Sequence, residues 1–315
     1  MNSTRKKNLE RALGSSVDYI LSRQHADGSW IDWELPPGQS STWTTAYVGG
    51  KLTSLESPYR DRASSATAIA SQWLTGRMFP DCGWGYNEQV DSDADSTALA
   101  ILFLASEGRT VADSSYSCLE RFQCEDGGFA TFRGRPDLGT WATSHPDVTP
   151  SALLALKTKY AATTQAINLG LQFVLNQRTS AGIWKSFWWT TFLYSTERSL
   201  SLFEAVRLEL DLQVTRKTLL HTRPQNPFES ALLLSSLLWL PDIAKDQDVW
   251  PLVDRLVADQ ALDGSWSSPP MLRVTRRDCR EPWKPGDPDP LFRDQNRLFT
   301  TATVMNAFSN LHKLA

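Results

Sequence analysis

The segment Cys82-Gly83-Trp84-Gly85-Tyr86-Asn87-Glu88 runs on, three residues later, into Asp91-Ser92-Asp93-Ala94-Asp95-Ser96-Thr97-Ala98. A glycine turn carrying an aromatic leads into a ladder of carboxyl groups, and the ladder opens an apolar stretch that continues uncharged to Ala105. Both halves recur. The glycine turn reappears at Gln24 with Asp27-Gly28-Ser29-Trp30, at Gln123 with Asp126-Gly127-Gly128-Phe129, at Gln177 with Gly182 and Trp184, and at Gln260 with Asp263-Gly264-Ser265-Trp266. Asp-Gly ends helices because glycine adopts the left-handed backbone that a helix terminus needs. A nearby Gln can bond the carbonyls left open there. The helix-opening step recurs at Thr44-Thr45, Thr149-Pro150-Ser151, Thr190-Thr191, Glu229-Ser230 and Thr300-Thr301. Hydroxyl and carboxylate side chains cap helix N-termini, and proline suits a first turn. With Thr45, Thr97, Thr149, Thr191, Ser230 and Thr301 as markers, the steps are 52, 52, 42, 39 and 71 residues.

Amphipathic stretches end at or near these turns: 8–24, 60–74, 110–124, 161–177 and 247–260, with a shorter one at 211–222. Their apolar residues fall at three- and four-residue spacing, the mark of a helix with one wet face. The stretches opened by Thr or Ser are apolar all round. Six outer and six inner helices therefore alternate, which predicts an all-α chain closed into an (α/α)6 barrel. Strand signals are weak. No composition shift marks a boundary, so residues 1–315 read as one domain, and the Pro- and charge-rich segment 267–296 reads as a long loop over one mouth.

Composition narrows the function. The net charge of −3 offers no basic excess for nucleic acid. Cys82, Cys118, Cys124 and Cys279 lack zinc spacing, and Asp278-Cys279 with the four His residues does not make a zinc set. Asp91, Asp93 and Asp95 imitate the start of a calcium loop, but Ser96 stands where that loop needs Gly and Leu102 where it needs Glu. The basic N-terminus is followed by no apolar signal region, and no run is long enough to span a bilayer. The expectation is a cytoplasmic protein with free thiols.

These residues resemble the squalene–hopene and oxidosqualene cyclase superfamily. The turns are similar to its Gln–Trp repeats. Trp84 followed by Asp93-Ala94-Asp95-Ser96-Thr97-Ala98 resembles the class II terpene cyclase signature D-x-D-D-T-A, with Ser96 in place of the last Asp. The resemblance implies a barrel of alternating helices, no metal or other cofactor, and Asp95 as proton donor to an isoprenoid alkene or epoxide. The larger members have two barrels with the site between them. This chain has room for one, so either a self-contained cavity or a second copy must close the site. Greasy substrates also imply contact with a membrane surface.

The residues themselves suit such chemistry. Crowding among Asp91, Asp93 and Asp95, together with an apolar surrounding, favours keeping one carboxyl protonated. A helix N-terminus then stabilises the anion left behind. Aromatic faces stabilise a cation without attacking it. The candidates to line the cavity are Trp43, Trp84, Tyr86, Phe103, Trp141, Trp188, Trp189 and Tyr194. His145, one repeat after the ladder, is a candidate to hydrogen-bond the acid. Arg273, Arg276, Arg277 and Arg280 form a basic cluster suited to a diphosphate. Two other readings stay open: a non-catalytic toroid that binds a hydrophobic ligand or a protein, and a magnesium-dependent enzyme acting on a prenyl diphosphate.

Overall fold

The computed structural model describes residues 3–160, 162–240, 249–284, 286 and 289–314. Of the expected outer helices, residues 161, 247 and 248 lie outside the described residues, as do 285, 287 and 288 of the expected loop. Helices dominate. In chain order they are α1 (Ser3–Ser22), α2 (Thr42–Thr53), α3 (Tyr59–Thr75), α4 (Ala94–Ser106), α5 (Asp113–Glu120), α6 (Thr149–Lys159), α7 (Gln165–Asn176), α8 (Leu193–Val206), α9 (Gln213–His221), α10 (Pro227–Leu238), α11 (Trp250–Ala258) and α12 (Leu298–Leu314). Each even-numbered helix packs against the even-numbered helices before and after it, and α12 packs against α2, so they form a closed ring. The odd-numbered helices lie outside, with α1 touching both α3 and α11. Burial follows this order: α12 is buried along most of its length, while α9 buries only Thr215 and Leu219.

The glycine turns tie the two layers together by a repeated set of hydrogen bonds. Each turn tryptophan donates its indole N–H to the outer-helix carbonyl ten residues upstream: Trp30 to Ile20, Trp84 to Leu74, Trp184 to Val174 and Trp266 to Leu256, at 2.6–2.9 Å. These carbonyls sit at helix ends, where they have no helical partner. The glutamine side chains do more than cap. Gln24, Gln123 and Gln260 each donate both to their own turn glycine and to a carbonyl of another outer helix, respectively Ala66, Ala166 and Ala12. Gln260 thereby joins the last turn to the first helix.

Inward, the backbone N–H of each turn aromatic donates to a threonine hydroxyl on the next inner helix: Trp30 to Thr45, Trp84 to Thr97, Phe129 to Thr149, Trp184 to Thr196 and Trp266 to Thr301. The fourth marker is therefore Thr196, not Thr191. The Thr190-Thr191 step lies in a loop, because α8 begins only at Leu193.

Short strands appear where the sequence shows only weak signals. β1 (Asp32–Leu35) pairs antiparallel with β2 (Gly38–Ser40), and β3 (Leu272–Arg273) with β4 (Leu291–Phe292). The second pair falls inside the expected loop. That segment is sewn down over the third and fourth repeats: Arg273 N–H donates to Trp188 O at 2.7 Å, Thr190 N–H to Met271 O at 2.9 Å and Thr140 N–H to Arg277 O at 2.7 Å.

Two glycines separate the cost of backbone strain from that of collision. Gly108 (φ 73°) has open space where a Cβ would go, whereas at Gly127 (φ 88°) a Cβ would strike the Leu169 carbonyl. Gly108→Ala should cost about 1 kcal/mol for the left-handed backbone alone. Gly127→Ala should cost about 1–3 kcal/mol more because the collision adds to the strain. Urea unfolding of the two variants measures the difference.

Candidate active site

The three carboxyl groups of the ladder point three ways. Asp91 is exposed and pairs with Arg135 at 2.8 Å. Asp93 caps α4: one oxygen accepts the Ser96 backbone N–H and the other the Ser96 hydroxyl, both at 2.7 Å. Ser96 thus satisfies its neighbour where a fourth carboxyl would have added another buried charge. Asp95, in the first turn of α4, opens on a cavity. Its Oδ2 accepts the Trp43 indole N–H at 2.7 Å, and its Oδ1 is covered with no partner. Divergent carboxyls do not make a cation site, and among the described residues no three His, Cys, Asp or Glu side chains converge as metal ligands.

Loss of water is the main cause that raises the two buried carboxyls. Burial pushes Asp95 up to about 6, opposed by the Trp43 hydrogen bond and by the charge of Arg198. Burial likewise pushes Asp93 up to about 7, opposed by its bonds to Ser96 and reinforced by the charge of Asp95. Asp91 lies on the cavity lining but is exposed and paired with Arg135, and it is not among the charges that act on Asp95.

The cavity has a volume of about 570 Å³. Trp43, Tyr86, Trp141, Trp188, Trp189 and Phe132 supply aromatic surface, Asp91, Asp93, Asp95 and Arg135 lie on the lining with them, and Leu272, Val274 and Arg277 close it from the segment sewn over the mouth. Behind the wall the rings are packed face to face. Trp43 stacks on Phe299 at 5.0 Å, and Trp189 stacks on Tyr194 at 4.3 Å and on Phe299 at 5.2 Å.

Several candidates named from sequence lie outside this lining, each for a physical reason. Trp84 is spent on its own turn, bonded to the end of α3. Phe103 lies at the contact between α2 and α4, where the absence of a side chain at Gly49 leaves room for its ring. Tyr194 backs Trp189 rather than facing the cavity. His145 stacks on Phe187 at 4.0 Å, bonded to the Trp141 backbone rather than to the acid, and burial depresses it to about 3, so it is neutral. Arg273 is buried and donates to the carbonyls of Trp189 and Pro282. Arg276 is exposed and pairs with Asp278 at 3.4 Å. Arg277 alone of the cluster reaches the lining, with its guanidinium over Trp141 at 5.5 Å.

Several lining residues were given no role from sequence, among them Phe132, Arg135 and Asp147. Asp147 is 2% exposed, with Oδ2 accepting the Trp188 backbone N–H at 2.7 Å and Oδ1 buried without a partner. The signal was present: Asp147 precedes Thr149 by the same two residues by which Asp95 precedes Thr97. Applied to every threonine that holds a turn, this step gives Trp43, Asp95, Asp147, Tyr194 and Phe299, so two carboxyls occupy a level otherwise given to aromatics.

The raised pKa of Asp95 fixes a stability signature. The folded-state value of Asp95 lies above its unfolded value, so its contribution is most favourable below about pH 4 and is lost as pH rises toward 6. Asp95→Asn removes this loss. The variant should melt with the wild type at pH 4 and about 2–4 °C above it at pH 8, read by thermal unfolding at the two pH values.

No protein-family model matches the sequence, and no curated protein does. Solved structures do. A variant of the type II terpene cyclase MstE from Scytonema, in complex with geranylgeranyl dihydroxybenzoate, is 22% identical with a TM-score of 0.85 over 100% of both chains. A protein from Actinoplanes is 24% identical with a TM-score of 0.84, covering 96% of this chain and 99% of that one. The ent-copalyl diphosphate synthase from Streptomyces platensis is 18% identical with a TM-score of 0.62, covering 86% of this chain and 50% of that one. What the chain shares with them is a mostly helical, terpene-cyclase-like fold.

Proposed function

We propose that this chain is a class II-type terpene cyclase: a single (α/α)6 barrel domain that protonates an isoprenoid alkene or epoxide and guides the resulting cation through ring closure. The observation that carries the reading is one carboxyl group, Asp95, pushed up to about 6 by burial and opening on an aromatic cavity of about 570 Å³. That volume lies within the usual range for small-molecule sites, roughly 300–1,000 Å³. The fold shared with a type II terpene cyclase holding a prenylated aromatic substrate supports the same class of ligand.

In this reading Asp95 transfers its proton to one carbon of the terminal double bond, or to the epoxide oxygen. The Trp43 indole N–H and the N-terminus of α4 stabilise the carboxylate left behind. The positive carbon is attacked by the next double bond, so each π pair becomes a ring bond and the charge moves along the chain. Trp43, Trp188 and Trp189 offer π faces, each worth about 0.5–2 kcal/mol to a cation, and no nucleophile. The apolar wall keeps water from quenching the charge.

The test is turnover of farnesol, geranylgeraniol, their diphosphates and geranylgeranyl dihydroxybenzoate by the pure protein. From an alkene substrate the expected product has unchanged mass and an altered retention time. Asp95→Asn should lower the rate by about 10²–10⁴-fold, the range for loss of a general acid. Trp43→Phe keeps a ring but loses the donor to Asp95, and should lower kcat about tenfold with KM nearly unchanged. Binding with every ligand recovered intact would favour a hydrophobic-ligand toroid instead, and chelator-sensitive release of pyrophosphate would favour a magnesium enzyme.

A further inference from the structure

Asp147 is a buried carboxyl group with no structural task to match its cost. An unpaired buried carboxyl oxygen is expensive, and native proteins rarely keep one without use. Asp93, in the neighbouring repeat, caps α4 with its side chain. Asp147 caps nothing: α6 begins at Thr149 with no side-chain bond at its N-cap. Its one hydrogen bond, from the Trp188 N–H to Oδ2, is a bond that an asparagine could accept equally well. Its other oxygen belongs to a residue of the cavity wall.

Asp95 accepts one indole N–H and feels the charge of Arg198, while Asp147 accepts a backbone N–H and lies within the field of the buried Arg273 guanidinium. The two carboxyls also feel each other's charge, so ionising one opposes ionising the other. Burial pushes Asp147 up to about 7, which makes its carboxylate a stronger base than one in water. Asp95 stands in the first turn of α4 and Asp147 two residues before the start of α6, and both line the cavity. Burial holds Asp147 higher than Asp95, about 7 against about 6, so of the two Asp95 is the readier donor and Asp147 the stronger acceptor.

We propose that Asp147 is the base that ends the reaction, taking a proton from a carbon next to the final cation. This rests on the cyclase reading above. The C–H bonding pair becomes the π bond of the new alkene, and the proton goes to Oδ1. Asp95 has meanwhile become a carboxylate, and the proton passes from Asp147 to Asp95, directly or through one water. For an alkene substrate nothing is gained or lost, and the enzyme returns to its starting state without an external acid or base.

The experiment compares wild type, Asp147→Asn and Asp95→Asn on whichever of farnesol, geranylgeraniol and geranylgeranyl dihydroxybenzoate the wild type cyclises. Substrate consumption and product identity are followed separately. Asp95→Asn should stop consumption. Asp147→Asn should keep consumption within about tenfold of wild type and divert the product to isomeric alkenes or to alcohols heavier by one water. An unchanged product at an unchanged rate would overturn the inference, as would a loss of consumption as complete as that of Asp95→Asn in a folded variant. If Asp147→Asn does not fold, Asp147→Glu moves the base by one methylene and should change the position of the new double bond; an unchanged product ratio overturns the inference. A wild type that turns over none of the three substrates sinks the cyclase reading itself, whereas an active wild type matched by Asp147→Asn sinks this inference alone.

Discussion

The structure depends on one constraint: a carboxyl group deprived of water must either keep its proton or find compensation. Asp95 has the Trp43 indole on one oxygen and nothing on the other. Burial therefore outweighs both that hydrogen bond and the distant positive charge of Arg198. Deeper in the ring, Arg198 itself is buried beside Glu197 at 3.8 Å and lies over the faces of Tyr47 and Tyr194. The charge of Arg198 favours the anion of Asp95 but is outweighed by burial.

The repeat makes this arrangement cheap to build. Backbone hydrogen bonds from each turn aromatic to a threonine fix the height of every inner helix, whatever side chain stands two residues before that threonine. At that level Trp43 and Phe299 contribute packing, while Asp95 and Asp147 contribute acidity. The carboxyls sit on a frame whose own bonds do not involve them. Replacing one should therefore change chemistry and pH-dependent stability more than fold, the usual exchange of stability for activity at a functional site.

Much of the frame was legible because its causes are local. Asp-Gly turns, helix caps and three-to-four apolar spacing act within a few residues, so the order and approximate ends of the helices follow from them. The shift from Thr191 to Thr196 shows the limit: two Thr-rich steps lie close together, and only the hydrogen bond from Trp184 N–H selects between them. Phe103 shows another limit. An apolar ring on an inner helix reads as a cavity residue until the gap left by Gly49 on α2 is seen to receive it.

The sequence by itself determined the alternation of helices, the turns that end them and the carboxyl at the head of α4, since each arises from contacts among near neighbours along the chain. Only the tertiary structure decided which carboxyl opens on the aromatic wall with an oxygen left unpartnered. Asp91, Asp93 and Asp95 differ by two residues each, yet one meets Arg135 in solvent, one turns back on Ser96 and one faces rings brought from α2 and from the loop before α8. Only the tertiary structure likewise made Asp147 part of the same wall. Desolvation is set by everything within a few ångströms, and most of what lies that close comes from chain positions far away.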